Sequence, residues 1–216
     1  MQKYRYLIFD FDGTVNDTSE GIFFTFKRVL EIMGVDCQNV DFARHIGPPL
    51  EYSYAVLVGD ARRDEGIELH RKVYAECNAL EKSRLYDGIV ETLYALKNAG
   101  YKLAVASSKY QPHAIESIRM HGLSDIFDVV YGQNEKRGYK SEVLRQLVAD
   151  NGWDKRQCLM IGDTPYDIDG AHENGIDAMA VTYGFGKIDE LEKSHAEFTA
   201  HSPQEIAQLL LAQHTK

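Results

Sequence analysis

Short apolar blocks recur along this chain, separated by stretches in which apolar positions are spaced. Residues 6–9, 102–106, 128–131, 157–161 and 178–181 are the compact blocks, largely apolar at consecutive positions. Their length suits strands, and apolar residues on both faces suit strands covered on both sides. Residues 89–97, 114–121, 140–149 and 166–174 instead repeat apolar residues every three or four positions, as does 206–211 near the end. That is the stripe of a helix packed on one side. Buried strands alternating with such helices predict an α/β fold, a doubly wound (Rossmann-like) parallel sheet clothed in helices.

Residues 18–82 lack this alternation. Ile22, Phe26, Val29, Leu30 and Met33 share one helix face. Asp17 with Glu20 resembles a capping box at its start, and Gly34 supplies a stop. Shorter helices are expected over 41–46 and 50–58, on either side of the Gly47-Pro48-Pro49 break. A further one is expected over 65–79, with Ile67, His70, Val73 and Tyr74 inward. The expected division is therefore an α/β core from 1–16 and 84–216, with a small all-helical cap, 17–83, inserted after the first strand. The connections near 16–18 and 83–88 are where such a cap would open and close.

Charge narrows the partners. The 216 residues carry 33 acids against 24 bases, a formal net charge of -9. That balance argues against a nucleic-acid polymer or an anionic membrane as partner, since either needs clustered Lys and Arg. It leaves room for a small phosphorylated metabolite whose charge a metal ion could meet. Cys37, Cys77 and Cys158 are scattered and odd in number, which fits reduced thiols better than a disulfide framework or a zinc site. The first residues show no charged-then-apolar leader, and no apolar run approaches the length of a membrane span, so a cytoplasmic protein is expected.

The chemistry gathers at strand ends. The first strand runs into Asp10-Phe11-Asp12-Gly13-Thr14, the second into Ser107-Ser108-Lys109, and the fourth into Gly162-Asp163 with Asp167 four residues on. Lys140 opens the helix leading to that fourth strand. In an open parallel sheet these carboxyl ends form the ligand crevice. Asp10 and Asp12, two apart in extended chain, can face one cleft, where their mutual repulsion asks for a cation. An EF-hand loop is excluded because its sixth position, counted from Asp10, is Val15 and not glycine. Each residue alone has a plainer structural use; the joint arrangement points to a site.

In order and spacing these segments resemble the four motifs of the haloacid dehalogenase-like hydrolase superfamily. The helical insertion after the first motif is similar to the phosphoglycolate phosphatase-like or nucleotidase branch. The segments 46–50 and 182–186 add to that likeness. The resemblance implies a magnesium-dependent phosphatase in which Asp10 is the nucleophile and forms an aspartyl phosphate. Asp12 would be the general acid and base, with Ser107 and Lys140 binding the phosphoryl group. It implies Mg2+ held by Asp10, the backbone carbonyl of Asp12, and Asp163, with Asp167 orienting Lys140 or a metal-bound water. Backbone N–H groups near Gly13 would bind phosphoryl oxygens. Ser108 and Lys109, and Asn16, Arg44 and His45 from loops of the cap facing the core, are the candidates for substrate contact.

Alternatives are weighed on particular residues. Dehalogenase relatives lack the acid found here at Asp12. Phosphonate-cleaving relatives use a cap lysine that 44–50 does not contain. A sugar-phosphate mutase would place a His early in the first cap helix, where this chain has Ile22, Phe23 and Phe24. A phospho-accepting signalling module of the receiver type would split its acids between strands and lack the long insertion. Two departures from the family pattern stand out: the paired hydroxyls of Ser107 and Ser108, and Asp87 where many relatives have proline.

Overall fold

The computed structural model describes residues 3–212. Its strands are β1 (Tyr6–Phe9), β2 (Asn16–Asp17), β3 (Arg84–Leu85), β4 (Lys102–Tyr110), β5 (Val129–Gln133), β6 (Cys158–Gly162), β7 (Asp177–Val181) and β8 (Phe198–Ala200). Its α-helices are α1 (Ser19–Ile32), α2 (Leu50–Val58), α3 (Arg63–Glu76), α4 (Ile89–Asn98), α5 (Gln111–Met120), α6 (Lys140–Asp150), α7 (Pro165–Glu173), α8 (Ile188–Lys193) and α9 (Pro203–Leu211). Six strands form one sheet in the order β5-β4-β1-β6-β7-β8, with every pairing parallel.

Alternation along β1 divides the core. Leu7 and Phe9 face one layer, where they join Leu103, Val105 and Ile161 of the sheet with Leu93 of α4 and Ile206 and Leu210 of α9. Ile8 faces the other, with Ala104, Ala106, Ala178 and Ala180 beneath Val143, Leu147 and Ile168 of α6 and α7. Small alanines on that face let α6 approach the sheet closely, and this is what lets a side chain at its first residue reach the strand ends.

The cap has its own core. Phe26 and Val29 of α1 pack with Tyr54 of α2 and Ile67 and Val73 of α3. This block of helices stands apart from the sheet layers, as the sequence pattern predicts. The two crossings between cap and core pair with each other: Asn16 opposes Leu85 and Asp17 opposes Arg84, antiparallel. Among the described residues no helix is long and apolar enough to cross a membrane.

Local differences from the expected elements have physical reasons. The expected capping box does not form; Asp17 instead accepts from the amide and hydroxyl of Ser19, and α1 starts there. Gly34 does end that helix region, with φ +69. The 41–46 helix is a short 3-10 turn over Phe42–His45. β4 does not stop at Ala106: after a register shift it continues to Tyr110, so Ser107, Ser108 and Lys109 lie on extended chain. Four of the labelled elements are not foreseen by the pattern: β2 and β3 have two residues each, β8 has only three, and α8 reads Ile-Asp-Glu-Leu-Glu-Lys, too charged to show a stripe.

Candidate active site

Because β1 lies between β4 and β6, three carboxyl ends sit side by side and bring Asp10, Ser107 and Asp163 to one edge. Lys140, first residue of α6, reaches the same edge. Its Nζ lies 2.7 Å from Asp10 Oδ1, 2.8 Å from Asp167 Oδ1 and 2.7 Å from the carbonyl of Ala106. All four charged side chains are buried. Burial pushes the Asp10 carboxyl up to about 7, against the pull of Lys140. Asp163 is held well above the usual carboxylate range by burial first and then by the charges of Asp167 and Asp10. Burial disfavours the Lys140 ammonium too, but Asp10 and Asp167 more than offset it and raise its pKa.

Three carboxylates facing one ammonium leave an excess of two negative charges. Oxygens of Asp10, Asp163 and Asp167 lie within 4.8 Å of one another. An all-oxygen set with that surplus charge suits a hard divalent cation, and the three are positioned to chelate one such as Mg2+. Asp167 also serves its own helix. Its Oδ2 accepts from the amide and hydroxyl of Thr164 at the start of α7, while Oδ1 faces Lys140. The carbonyl of Asp12 accepts no hydrogen bond among the described residues.

Asp163 is fixed from two sides. Thr14 Oγ1 donates to Oδ1 at 2.9 Å and the Phe185 amide to Oδ2 at 2.8 Å. The Tyr183 hydroxyl donates to the Thr14 carbonyl at 2.8 Å, tying the 182–186 segment to the first motif. Gly13 has φ +96, and a Cβ there would stand 2.2 Å from Asp163 Oδ2. Only glycine meets both demands.

Asp12 contacts a different cation. Lys109 Nζ lies 2.9 Å from Asp12 Oδ2 and 3.2 Å from the hydroxyl of Tyr74 on α3. Asp12 Oδ1 is buried with no partner among the described residues, as is the Ser108 hydroxyl. Ser107 Oγ accepts from the Lys109 amide at 3.1 Å, leaving its proton free to donate. The Gly13 amide is not available for a phosphoryl oxygen, because it donates to the Asn16 carbonyl at 2.8 Å. The amides of Phe11 and Asp12 have no acceptor among the described residues.

Above this edge lies a cavity of about 750 Å³, floored by Asp10, Asp12 and Ser107 and roofed by the cap. His45, Ser108 and Lys109 line it. Two other expected contact residues lie elsewhere. Arg44 is mostly exposed and turns toward Asp41 and Glu190, at 3.6 and 3.8 Å. Asn16 is fully buried, donates to Ser83 Oγ at 3.1 Å and does not line the cavity. The walls hold residues outside the motifs: Tyr74 stacks on His113 of α5 with ring centroids 5.4 Å apart, and Arg71, Lys136 and Arg137 line the same cavity. The helical stripe of α3 signalled His70 and Tyr74 as inward, though not toward a cavity.

A parallel sheet whose central strand ends in Asp-x-Asp, with a lysine and further acids converging on it, defines an aspartate-based phosphoryl-transfer site. The chain belongs to the haloacid dehalogenase-like hydrolase family, which it matches over residues 7–181. Within that family it falls in the phosphoglycolate-phosphatase-like branch with an inserted helical cap. It is 33% identical over 199 residues to the tyrosine-protein kinase PtkA of Mycobacterium tuberculosis (strain ATCC 25618 / H37Rv), covering 91% of this chain and 68% of that one. It is 35% identical over 206 residues to the 5'-nucleotidase of Pseudomonas aeruginosa, covering 93% and 90%. A solved haloacid dehalogenase-like family hydrolase from Streptococcus pneumoniae superimposes with a TM-score of 0.91 at 28% identity, over 97% of this chain and 99% of that one.

Proposed function

We propose that this protein hydrolyses small phosphomonoesters in two displacements through Asp10. The carboxylate oxygen that Lys140 leaves free attacks phosphorus, and the ester P–O bond breaks as the aspartyl phosphate forms. Asp12 gives its proton to the departing oxygen. It then takes one from the water that attacks the acyl phosphate, which regenerates Asp10 and releases inorganic phosphate. Lys140 and the hydroxyl of Ser107 hold phosphoryl oxygens, with the amides of Phe11 and Asp12 as further donors. Asp10, Asp163 and the Asp12 carbonyl would hold Mg2+, which supplies charge neutralisation between two anions that otherwise repel. Asp167 keeps Lys140 in place, as their 2.8 Å separation supports. The single observation that carries this reading is the buried Asp10–Lys140–Asp163 cluster beside a separately held Asp12.

The substrate is read as a small phosphorylated metabolite, and the net charge of -9 speaks against a nucleic-acid polymer. The free cysteines Cys37, Cys77 and Cys158 fit a cytoplasmic protein. The cap is read as spanning 17–83, with the β2–β3 ribbon at its base. The test is release of phosphate from a generic aryl phosphate, with Mg2+ and with excess chelator, by wild type and Asp10→Asn. Release that needs Mg2+ and disappears in Asp10→Asn is expected, by roughly a thousandfold or more. Chelator-insensitive release, or full activity in Asp10→Asn, would refute it. The name of the mycobacterial relative suggests transfer to tyrosine, so ATP with a tyrosine peptide is run beside the ester; phosphopeptide formation without hydrolysis would favour that reading instead.

A further inference from the structure

We infer that Lys109, steadied by Tyr74 of the cap, is a positioning residue for Asp12. Its ammonium holds Oδ2, which leaves Oδ1 to carry the proton that the departing oxygen receives. This rests on the phosphatase reading and says how that site readies its acid. Lys109 Nζ lies 2.9 Å from Asp12 Oδ2 and 3.2 Å from the Tyr74 hydroxyl. The Lys109 and Asp12 side chains are only 7% and 12% exposed, and Tyr74 is buried. An ammonium can only donate, so Oδ2 is taken up as an acceptor and the acid form bears its proton on Oδ1. Oδ1 is buried with no partner among the described residues, on a residue that floors the cavity. A buried oxygen left unpaired is costly until something entering the site engages it. The leaving oxygen of the ester is that group.

Both ends of this contact are held in place. Between Ala106 and Tyr110 β4 advances four residues, while β5 advances two, from Tyr131 to Gln133. An irregularity of that kind re-aims side chains. The Lys109 amide is pinned by donating to Ser107 Oγ at 3.1 Å. Gly132 of β5 makes room for this path, since a Cβ there would stand 2.6 Å from the Lys109 carbonyl oxygen. On the cap side the Tyr74 ring stacks with both His70 and His113, at centroid distances of 6.0 and 5.4 Å. The hydroxyl so held accepts from Lys109 and keeps the ammonium from swinging into the cavity. Direct binding of substrate by Lys109 fits less well. Among the described residues Asp12 has no other ion pair, so a Lys109 drawn to a substrate anion would strand a buried carboxylate.

The test uses the full chain with Mg2+ and a series of aryl phosphates of similar size whose phenols range from weak to strong acids. A well-placed acid helps poor leaving groups most, and an acidic one such as para-nitrophenol least. Wild type should therefore show kcat/KM that changes little along the series. Lys109→Met should lose about tenfold more kcat/KM on the poorest leaving group than on para-nitrophenyl phosphate. Tyr74→Phe keeps the ring and should lose about threefold more, in the same direction. The inhibition constant of inorganic phosphate should stay within about twofold in both, because neither residue holds the phosphoryl group. A slope already steep in wild type, a loss equal across the series in either folded variant, or a loss matched by weaker phosphate inhibition would overturn the inference while leaving the phosphatase reading intact. Should a circular dichroism melt show Lys109→Met unfolded, Tyr74→Phe decides alone. Failure of wild type to hydrolyse any ester would overturn both.

Discussion

Lys140 and Arg71 serve one cavity and are held in opposite ways. Lys140 is buried, with two carboxylates and a carbonyl all within 2.8 Å of its ammonium. Arg71 is exposed at the cavity wall and pairs with nothing among the described residues. The same division separates floor from roof. The floor is a closed network anchored on strand ends, where each acid has a fixed partner. The roof carries His70, Arg71 and Tyr74 on α3, with Arg71 left without an ion pair among the described residues. Chemistry common to many esters needs the first arrangement; choice among them needs the second.

Lys140→Ala is the strongest way to test that contrast. It should lower kcat about a hundredfold or more for every ester tried, because the phosphoryl group loses its charge partner wherever the leaving group ends. Steady-state kinetics on two unlike esters, with a circular dichroism melt to check the fold, decides it. A loss below about tenfold, or one that differs between esters, would mean that floor and roof are not separate in function.

Gly13→Ala sharpens the comparison within the floor. The new methyl would meet Asp163 Oδ2 at 2.2 Å, so Mg2+ affinity measured by calorimetric titration should fall about tenfold, on top of about 1–3 kcal/mol of backbone strain. Gly34→Ala in the cap is the control: its φ is also positive, +69, but nothing lies within 4 Å of a Cβ there. It should cost strain alone and leave Mg2+ binding as it was. Equal effects at the two glycines would remove the contact argument.

The effect with no bearing on turnover concerns the roof's own stability. Burial lowers the His70 pKa to about 3, where its Nδ1 lies 2.9 Å from the Tyr54 hydroxyl. A histidine depressed on folding contributes stability that is whole above its unfolded value near 6.5. As pH falls from there toward 3, the unfolded chain takes up a proton that the folded one refuses, and that stability is lost. Urea unfolding of wild type between pH 6 and 4 should therefore lose about 1.4 kcal/mol per pH unit more than His70→Gln does. Parallel pH slopes for the two would show that His70 titrates freely.

The floor was legible in the sequence because its residues sit at strand ends, where a short apolar run fixes both position and direction. Asp10, Asp12 and Asp163 follow from that rule, whereas Lys140 opens α6 and Ser107 lies within β4. The roof was not. Arg71 and His113 belong to different elements, and only the docking of α3 over the start of α5 brings them to one wall. Arg44 and Asn16 show the converse error. Both sit near the right turn of chain, but Arg44 leans toward surface carboxylates and Asn16 is turned inward to Ser83. The end of β4 was misjudged because Ser-Ser-Lys hides extended backbone behind polar side chains.

A last consequence concerns the paired crossings. Asn16 and Asp17 run beside Leu85 and Arg84, and the Arg84 guanidinium donates twice to Asp17 Oδ2, each at 3.3 Å. A cover hung on two loose threads can slide, tilt and swivel. One stitched along a seam folds about that seam and little else. Tyr74 and Arg71 would then travel on a single arc over a stationary bed, so a bulkier guest widens one angle and still meets the same wall.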